Sequence, residues 1–208
     1  MEREYLDAPT AVELLRRQEA LQAEAHQLIV HLDLFTMLSH AGKPEHIGSS
    51  VSGLMVWRDL DFNVICSQRS LRSVWETMQP LLINPRVTKL HYFNESEGHA
   101  PAELKGDERY YVVTYYETEA GHEWKIDISF WLSEKPRSHL AYLEYLSEHL
   151  TEETRLAILW IKDIWQHLPS YPYQVGGTDI YDAVLEHGVR TPAQFKAYLF
   201  ERGMPIPS

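Results

Sequence analysis

The sequence predicts an α/β fold, in which a mixed sheet with flanking helices is followed by a helical C-terminal part. Three observations predict it. A long amphipathic segment opens the chain, alternating or apolar segments rich in β-branched and aromatic residues fill the middle, and the last third returns to helical leucine spacing. We place the boundary near Lys135-Pro136, which gives a core with its N-terminal helix at 1–135 and a helical subdomain at 136–208.

Composition and charge restrict the classes of function. The 208 residues are 44% hydrophobic and 24% charged, which is typical of a globular chain rather than a disordered one. The net charge of −11 opposes an extended nucleic-acid surface, because phosphate backbones would be repelled. A local nucleotide site stays compatible with this charge if metal ions offset the repulsion.

Cysteine content and hydropathy predict the compartment. Cys66 is the single cysteine, so no internal disulfide can form, which favours a reducing cytoplasm. The first residues lack the apolar core of a signal peptide. No run of ~18 apolar residues is present, so we expect no membrane span.

The first predicted helix covers residues 11–40 and ends near Ala41-Gly42. Thr10 and Glu13 have the spacing of a capping box at its start. One apolar stripe follows the segment through Leu14, Leu21, Leu28, Leu32 and Phe35. We expect this stripe to pack on its own domain, with a homodimer through the same stripe as the alternative.

The remaining elements follow from alternation, capping residues and helix breakers. Predicted strands cover residues 59–66, 87–93, 109–117 and 123–132, the last two forming a hairpin across 119–122. A polar loop covers 94–108. Predicted helices begin at Ser70, Ser138, Thr151 and Thr191, and another follows Gly176-Gly177-Thr178 and stops at Gly188.

Two aspartates mark the first strand of the core. Asp59 and Asp61 are two residues apart, so their carboxylates point to one face while Leu60 and Phe62 point to the other. Carboxylates this close repel each other and lose hydration. A divalent cation such as Mg²⁺ would offset this repulsion, because it prefers carboxylate oxygens and keeps phosphates as further ligands.

Two further features strengthen this weak Asp-x-Asp signal. Gly48-Ser49 lies upstream, where glycine allows close approach of the backbone and serine adds a hydroxyl donor. Asp127 lies on the polar face of the alternating strand 124–130. The alternative for Asp127 is an outward-facing carboxylate paired with Lys125.

Together these residues resemble the nucleotidyltransferase superfamily related to DNA polymerase β. Its core has an apolar residue and Gly-Ser, a short spacer, Asp-x-Asp, and a third carboxylate on a later strand. Here Ile47-Gly48-Ser49 is followed by residues 50–58 and then by Asp59-Leu60-Asp61, with Asp127 as the third carboxylate. The resemblance covers residues 40–132 and implies a nucleotidyltransferase-like sheet.

The resemblance implies a two-metal transfer of a nucleoside monophosphate. Asp59 and Asp61 would hold both ions, Mg²⁺ with Mn²⁺ as an alternative, and Asp127 would bind the catalytic ion and help activate the acceptor hydroxyl. The turn at Gly48, Ser49 and Ser50 would grip the β- and γ-phosphates of the nucleotide, with ATP as the first expectation. Such a transfer needs charge neutralisation and an acceptor held in line.

The sequence departs from the pattern of this superfamily at the cation that contacts the triphosphate. Many small members have an arginine after the Gly-Ser pair, but 50–55 contain no basic residue and the first is Arg58. Lys162, on the helix that begins at Thr151, is one nucleotide-binding candidate, and Lys125 is another. The segment from Gly176 to Leu199 also looks like a tail of uncharacterised bacterial members.

The acceptor stays open between several classes. A small molecule is favoured, because the acidic charge suits a cationic sugar and opposes a long RNA surface; a protein side chain or an RNA end is the alternative. A nucleotide-binding module without transfer activity and an interaction protein remain as other hypotheses. Tyr110, Tyr111, Tyr115 and Tyr116 could stack on a substrate ring, although sheet propensity explains them too.

Overall fold

The structure is a computed structural model that describes residues 5–104, 106–134, 138–172 and 174–205. Within these ranges the chain forms a five-stranded mixed sheet and flanking helices, which confirms the predicted fold class. The strands are β1 (Gly42–Ile47), β2 (Asp59–Cys66), β3 (Val87–Glu95), β4 (Arg109–Glu117) and β5 (Glu123–Trp131).

The sheet has the order β1-β2-β5-β4-β3. The pair β2–β5 is parallel, whereas β1–β2, β5–β4 and β4–β3 are antiparallel. The antiparallel pair β4–β5 confirms the predicted hairpin. The strand that carries Asp127 therefore lies beside the strand that carries Asp59 and Asp61, although more than fifty residues separate them in sequence.

Several helix starts are confirmed in detail. The side chains of Ser70, Thr151 and Thr191 each accept a hydrogen bond from the backbone N–H three residues later. No helix in the described ranges is both long and apolar enough to cross a membrane. The helices are α1 (Ala8–His31), α2 (Leu34–Ser39), α3 (Ser49–Ser52), α4 (Leu71–Leu82), α5 (Ser138–His149), α6 (Glu152–Trp165), α7 (Gly177–His187) and α8 (Pro192–Glu201), with a 3₁₀ turn at Ala102–Leu104.

The first helix differs from its prediction at both ends. It begins at Ala8, because the carboxylate of Asp7 accepts the backbone N–H of Thr10 at 2.8 Å. Glu13 pairs with Arg16 instead of completing a capping box with Thr10. The predicted single helix over 11–40 is wrong, because Asp33 adopts a left-handed backbone with φ of 47° and separates α1 from α2.

Strand β1 was not predicted from the sequence. Its sequence, GKPEHI, has no apolar alternation, so periodicity provided no strand signal. Backbone pairing with β2 produces it, from Gly42 opposite Cys66 to Ile47 opposite Asp61. A Cβ at Gly42 would lie 1.9 Å from the carbonyl oxygen of Ile65, so this close approach requires glycine.

One face of the sheet is buried. On β2 it consists of Leu60, Phe62 and Val64, and on β5 of the apolar side chains from Trp124 to Phe130. The ring of Phe35 on α2 contacts Phe62 edge-on at 5.5 Å, and α2 also packs against β1 and α4. Because side chains alternate along a strand, burial of this face directs the aspartates to the opposite face.

The contacts divide the chain into two compact units. The sheet unit comprises Gln22–Ser52 and Trp57–Leu143, and the helical unit comprises Met1–Leu21, Gly53–Val56 and Glu144–Ser208. The predicted boundary at Lys135-Pro136 lies outside the described residues. The start of α1 and a short segment before β2 belong with the helical unit, which no composition shift in the sequence indicates.

The buried imidazole of His46 makes stability depend on pH. Its ring stacks on Phe62 at 4.9 Å, and burial lowers the pKa of His46 from 6.5 to about 4. As pH falls from 6.5 towards 4, the unfolded chain binds a proton that the folded chain excludes, so the free energy of unfolding decreases by on the order of 3 kcal/mol. Above pH 6.5 the histidine contributes no pH dependence.

We expect His46→Gln to lack this part of the acid destabilisation, since the amide does not titrate. Urea unfolding of both proteins between pH 4 and pH 8 measures the difference. Parallel pH profiles would contradict the prediction.

Candidate active site

Three carboxylates converge on the open face of the sheet unit. Asp61 of β2 lies directly opposite Asp127 of β5 in the parallel register, and Asp59 lies opposite Lys125. One ligand oxygen from each of Asp59, Asp61 and Asp127 lies within 4.8 Å of the other two. The structure thus brings together the three residues that the sequence singled out, in a spacing that suits a metal ion.

The carboxylates are shielded from water, which strengthens their repulsion. The side chains of Asp59 and Asp127 are each 14% exposed. The Oδ1 atom of Asp127 is buried and has no hydrogen-bond partner among the described residues. A hard divalent cation would satisfy such an oxygen and reduce the repulsion, so this donor set fits Mg²⁺ or Mn²⁺.

Gly48 brings the backbone against one of these carboxylates. It joins β1 to α3 with φ of 82°, in the left-handed region that favours glycine. A Cβ at this position would lie 2.2 Å from Oδ2 of Asp61. The glycine therefore serves two purposes, because it allows the turn and leaves room for the Asp61 carboxylate.

The serines after Gly48 have different surroundings. Ser50 is buried, its hydroxyl lies 2.7 Å from Nε2 of His46, and its carbonyl accepts a hydrogen bond from Gln22 at 2.9 Å. These contacts hold the turn together. Ser49 is half-buried at the first position of the single-turn helix α3. Of the two predicted phosphate-binding hydroxyls, that of Ser50 is already used in a structural contact.

Lys125 lies among the carboxylates. Its Nζ is 2.5 Å from Oδ2 of Asp127 and 3.7 Å from Oδ1 of Asp59. Burial acts to lower the pKa of Lys125, but the charges of Asp59 and Asp127 outweigh it and raise that pKa. Both sequence-based alternatives for Asp127 are therefore present, since it pairs with Lys125 and also belongs to the carboxylate cluster.

Aromatic side chains continue this face beyond Asp127. Burial, with the charge of Asp127, raises the pKa of Tyr111, so its phenol stays protonated. Phe93 on β3 stacks on Tyr111 with ring centroids 5.6 Å apart and is 46% exposed. Tyr115 shares this face, whereas Tyr110 and Tyr116 lie buried on the other face, which removes two of the four candidate stacking tyrosines.

The arginine beside these rings is fully engaged in contacts. The guanidinium of Arg109 lies between the rings of Tyr111 and Trp131, at 4.4 and 5.1 Å from their centroids. It donates hydrogen bonds to Glu95 at 2.5 Å and to Ser129 at 2.8 Å. Spacing along the chain does not connect these residues, because the contacts join three strands.

Lys162 is buried inside the helical unit. Only 3% of the residue is exposed, and its ammonium donates to the carbonyl of Leu54 at 2.6 Å and to the hydroxyl of Tyr181 at 3.0 Å. The ammonium of this nucleotide-binding candidate is therefore not presented to solvent. A nucleotide contact by Lys162 stays a prediction, and such a contact would compete with these two neutral partners.

Cys66 has the properties of an inert thiol. It ends β2, is half-buried, and burial raises its pKa to about 11. The thiol is therefore protonated near neutral pH, which makes it a poor nucleophile.

Comparison with known proteins identifies the fold. No protein-family model matches the sequence, and no curated protein does. A cytoplasmic RNA terminal U-transferase has a TM-score of 0.55 at 17% identity, over 84% of this chain and 51% of that chain. Cid1, an RNA terminal uridylyl transferase, has a TM-score of 0.56 at 16% identity, over 84% and 52%. Cid1 in complex with the UTP analog UMPNPP has a TM-score of 0.53 at 15% identity, over 84% and 54%.

These similarities show the fold. The chain spans about half the length of the proteins that it resembles. The nucleotidyltransferase-like architecture that the sequence resemblance implied is confirmed at the level of the fold.

The contact between Gly48 and Asp61 predicts a substitution effect. Gly48→Ala should destabilise the protein by more than the roughly 1–2 kcal/mol of left-handed strain, because its Cβ would also displace the Asp61 carboxylate. It should also weaken Mn²⁺ binding. Urea unfolding and calorimetric titration with Mn²⁺ measure the two effects.

Gly121→Ala is the matched control. Gly121 has φ of 76° in the β4–β5 turn, and a Cβ added there would meet no atom within 4 Å. The control should show the backbone strain with unchanged Mn²⁺ affinity. Equal Mn²⁺ affinity in both variants would mean that Gly48 does not shape the carboxylate site.

Proposed function

We propose that this chain is a metal-dependent nucleotidyltransferase that moves a nucleoside monophosphate from a nucleoside triphosphate to a hydroxyl group. The main observation in support is that Asp59, Asp61 and Asp127 converge on two adjacent parallel strands, beside a glycine turn. The shared fold with terminal uridylyltransferases supports the reaction class. A module that binds nucleotide without transfer is the alternative.

The three carboxylates suit two divalent ions. Asp59 and Asp61 would hold both ions, and Asp127 would hold the ion next to the acceptor. When bound, two Mg²⁺ ions supply charge neutralisation at the triphosphate and raise the acidity of the acceptor hydroxyl. Mn²⁺ has the same preference for oxygen ligands and could replace Mg²⁺.

The turn at Gly48 and Ser49 is proposed to bind the outer phosphates. Glycine lets backbone N–H groups approach phosphate oxygens closely, and the Ser49 hydroxyl adds a donor. ATP is the first triphosphate to test. UTP is the second, because one similar structure holds a UTP analog.

The chemistry that follows from this arrangement is a displacement at phosphorus. The acceptor hydroxyl lies next to Asp127, which can take its proton. The acceptor oxygen forms a bond to the α-phosphorus while the bond to the pyrophosphate oxygen breaks, and pyrophosphate leaves. Positioning the oxygen in line with that bond is the main contribution of the rigid sheet.

The acceptor is proposed to be a small molecule with a hydroxyl and a flat ring. The exposed ring of Phe93 and its partner Tyr111 lie on the same face as Asp127, where such a ring can stack. The net charge of −11 disfavours a long polyanion. An RNA end is the second candidate, because the proteins of similar fold are described as acting on RNA.

Asp61→Asn should abolish divalent-dependent nucleotide binding and lower turnover by more than about a hundredfold, since metal ligation supplies several kcal/mol. The fold should persist or become slightly more stable, because one repelling carboxylate is gone. Calorimetric titration with each nucleoside triphosphate, with and without Mg²⁺, is the measurement.

Asp33→Asn is the control for the same chemical change. Asp33 is exposed between α1 and α2, and asparagine tolerates its left-handed backbone. The control should bind as the native protein does. Full activity of Asp61→Asn, or its unfolding, would show that the metal-site assignment is wrong.

Phe93→Ala should raise the KM for the acceptor by about three- to tenfold and leave kcat nearly unchanged, because stacking holds the acceptor in the ground state as well. Steady-state kinetics with an acceptor found by a screen of pyrophosphate release measures both constants. Phe200→Ala, which removes a ring that is 74% exposed on α8, is the control. Unchanged KM in Phe93→Ala would exclude this surface as the acceptor site.

A further inference from the structure

We propose that the ammonium of Lys125 occupies the place of a metal ion while the site is metal-free, and that metal binding releases it to the triphosphate. This inference rests on the proposed function and adds a role for a residue outside the carboxylate triad. It makes Lys125 a residue that couples metal loading to nucleotide binding.

The first step is that the ammonium lies where a metal ion would bind. Nζ of Lys125 lies between two of the three proposed ligand side chains, 2.5 Å from Oδ2 of Asp127 and 3.7 Å from Oδ1 of Asp59. Its Cα lies on β5 opposite Asp59, and it shares a sheet face with Asp127. The ammonium therefore neutralises part of the charge that a metal ion would neutralise.

The second step is electrostatic competition. In the metal-free site the ammonium offsets one of the three negative charges of the carboxylates. An ammonium and a divalent ion repel each other strongly at such distances when water is partly excluded. The ion would take Oδ1 of Asp127, which has no partner among the described residues, whereas Nζ lies 2.5 Å from Oδ2 of the same carboxylate. A Mg²⁺ ion at about 2.0–2.1 Å from that carboxylate would lie close to the ammonium, so repulsion between the two cations favours the departure of the ammonium.

The third step is where the released ammonium goes. Lysine carries its charge on a flexible four-carbon chain, so it can turn away without moving the strand. The triphosphate needs a cation, and other candidates are engaged. Arg58 is bidentate to Glu24 at 2.8 and 3.1 Å, and Arg109 is bound to Glu95. Lys162 is bonded within the helical unit.

Lys125 differs from these cations because the metal itself would take its partners. Loading the site with metal would therefore provide the cation that the sequence lacks after Gly48-Ser49. Metal and triphosphate should then bind cooperatively, while each alone binds more weakly.

The test is Lys125→Met, titrated calorimetrically with Mn²⁺ alone and then with Mn²⁺ in the presence of a non-hydrolysable ATP analogue. Without its competitor, Mn²⁺ should bind about tenfold tighter. Such a change in affinity corresponds to only part of the repulsion energy between the two cations. The analogue, in contrast, should bind the Mn²⁺-loaded variant at least about fivefold more weakly than the loaded native protein.

Two further variants separate charge from structure. Lys89→Met removes an ammonium that is 57% exposed and paired with Glu123 at 3.4 Å, so it should leave Mn²⁺ affinity unchanged. Lys125→Arg keeps a competing cation and should bind Mn²⁺ as weakly as the native protein. Asp61→Asn should remove the Mn²⁺ signal, which shows that the titration reports on the carboxylates.

Thermal melting gives a readout that needs no nucleotide. Metal-free Lys125→Met should melt below the native protein, because its carboxylates lack their counter-ion, and Mn²⁺ should raise its Tm by more than it raises that of the native protein. If Lys125→Met folds only with Mn²⁺ present, the result also supports the proposal, because the metal then stabilises the variant more than it stabilises the native protein.

Equal or weaker Mn²⁺ binding by Lys125→Met would overturn the proposal, because the lysine would then not compete with the metal. Tighter Mn²⁺ binding without any nucleotide binding in the native protein would support metal exchange and contradict the transferase. Nucleotide transfer by the native protein, together with unchanged Mn²⁺ affinity in Lys125→Met, would support the transferase and contradict metal exchange.

Discussion

The in-register parallel pairing of β2 with β5 is the constraint on which the candidate site depends. It places Asp61 directly opposite Asp127 and Asp59 opposite Lys125. The buried face of both strands enforces this register, because a slip of β2 by one residue would turn Leu60 out of the core and Asp59 and Asp61 into it. The apolar packing on one face thus maintains the repulsive charge cluster on the other.

Charge on the open face is balanced by local partners rather than by the composition of the whole chain. Although the chain is acidic overall, the ammonium of Lys125 lies at the carboxylates, and Arg109 is held between two rings with Glu95 beside it. Both positive groups lie on the same face of the sheet as the triad. The net charge of −11 therefore says little about the potential that a bound nucleotide would meet.

Features with a local cause were predictable from the sequence, and features with a tertiary cause were not. Periodicity indicated β2, β4 and β5, and hydroxyl caps indicated the starts of α4, α6 and α8. Strand β1 was not predicted because backbone pairing with β2 creates it. The break between α1 and α2 was not predicted because it depends on the left-handed backbone of Asp33, which the residue type does not require. The burial of Lys162 and the pairing of Lys125 with Asp59 depend on contacts between distant segments.

The sheet order also has a consequence for how the chain assembles. The strand pairs β1–β2 and β3–β4 are each close in sequence, whereas β5 is the last strand in the described sheet and lies between β2 and β4. During synthesis the two pairs can form before β5 emerges, and its insertion completes the only parallel, long-range pairing in that sheet. The repulsion that Asp127 adds to that between Asp59 and Asp61 therefore arises at the final step of sheet formation, when Lys125 arrives on the same strand as Asp127.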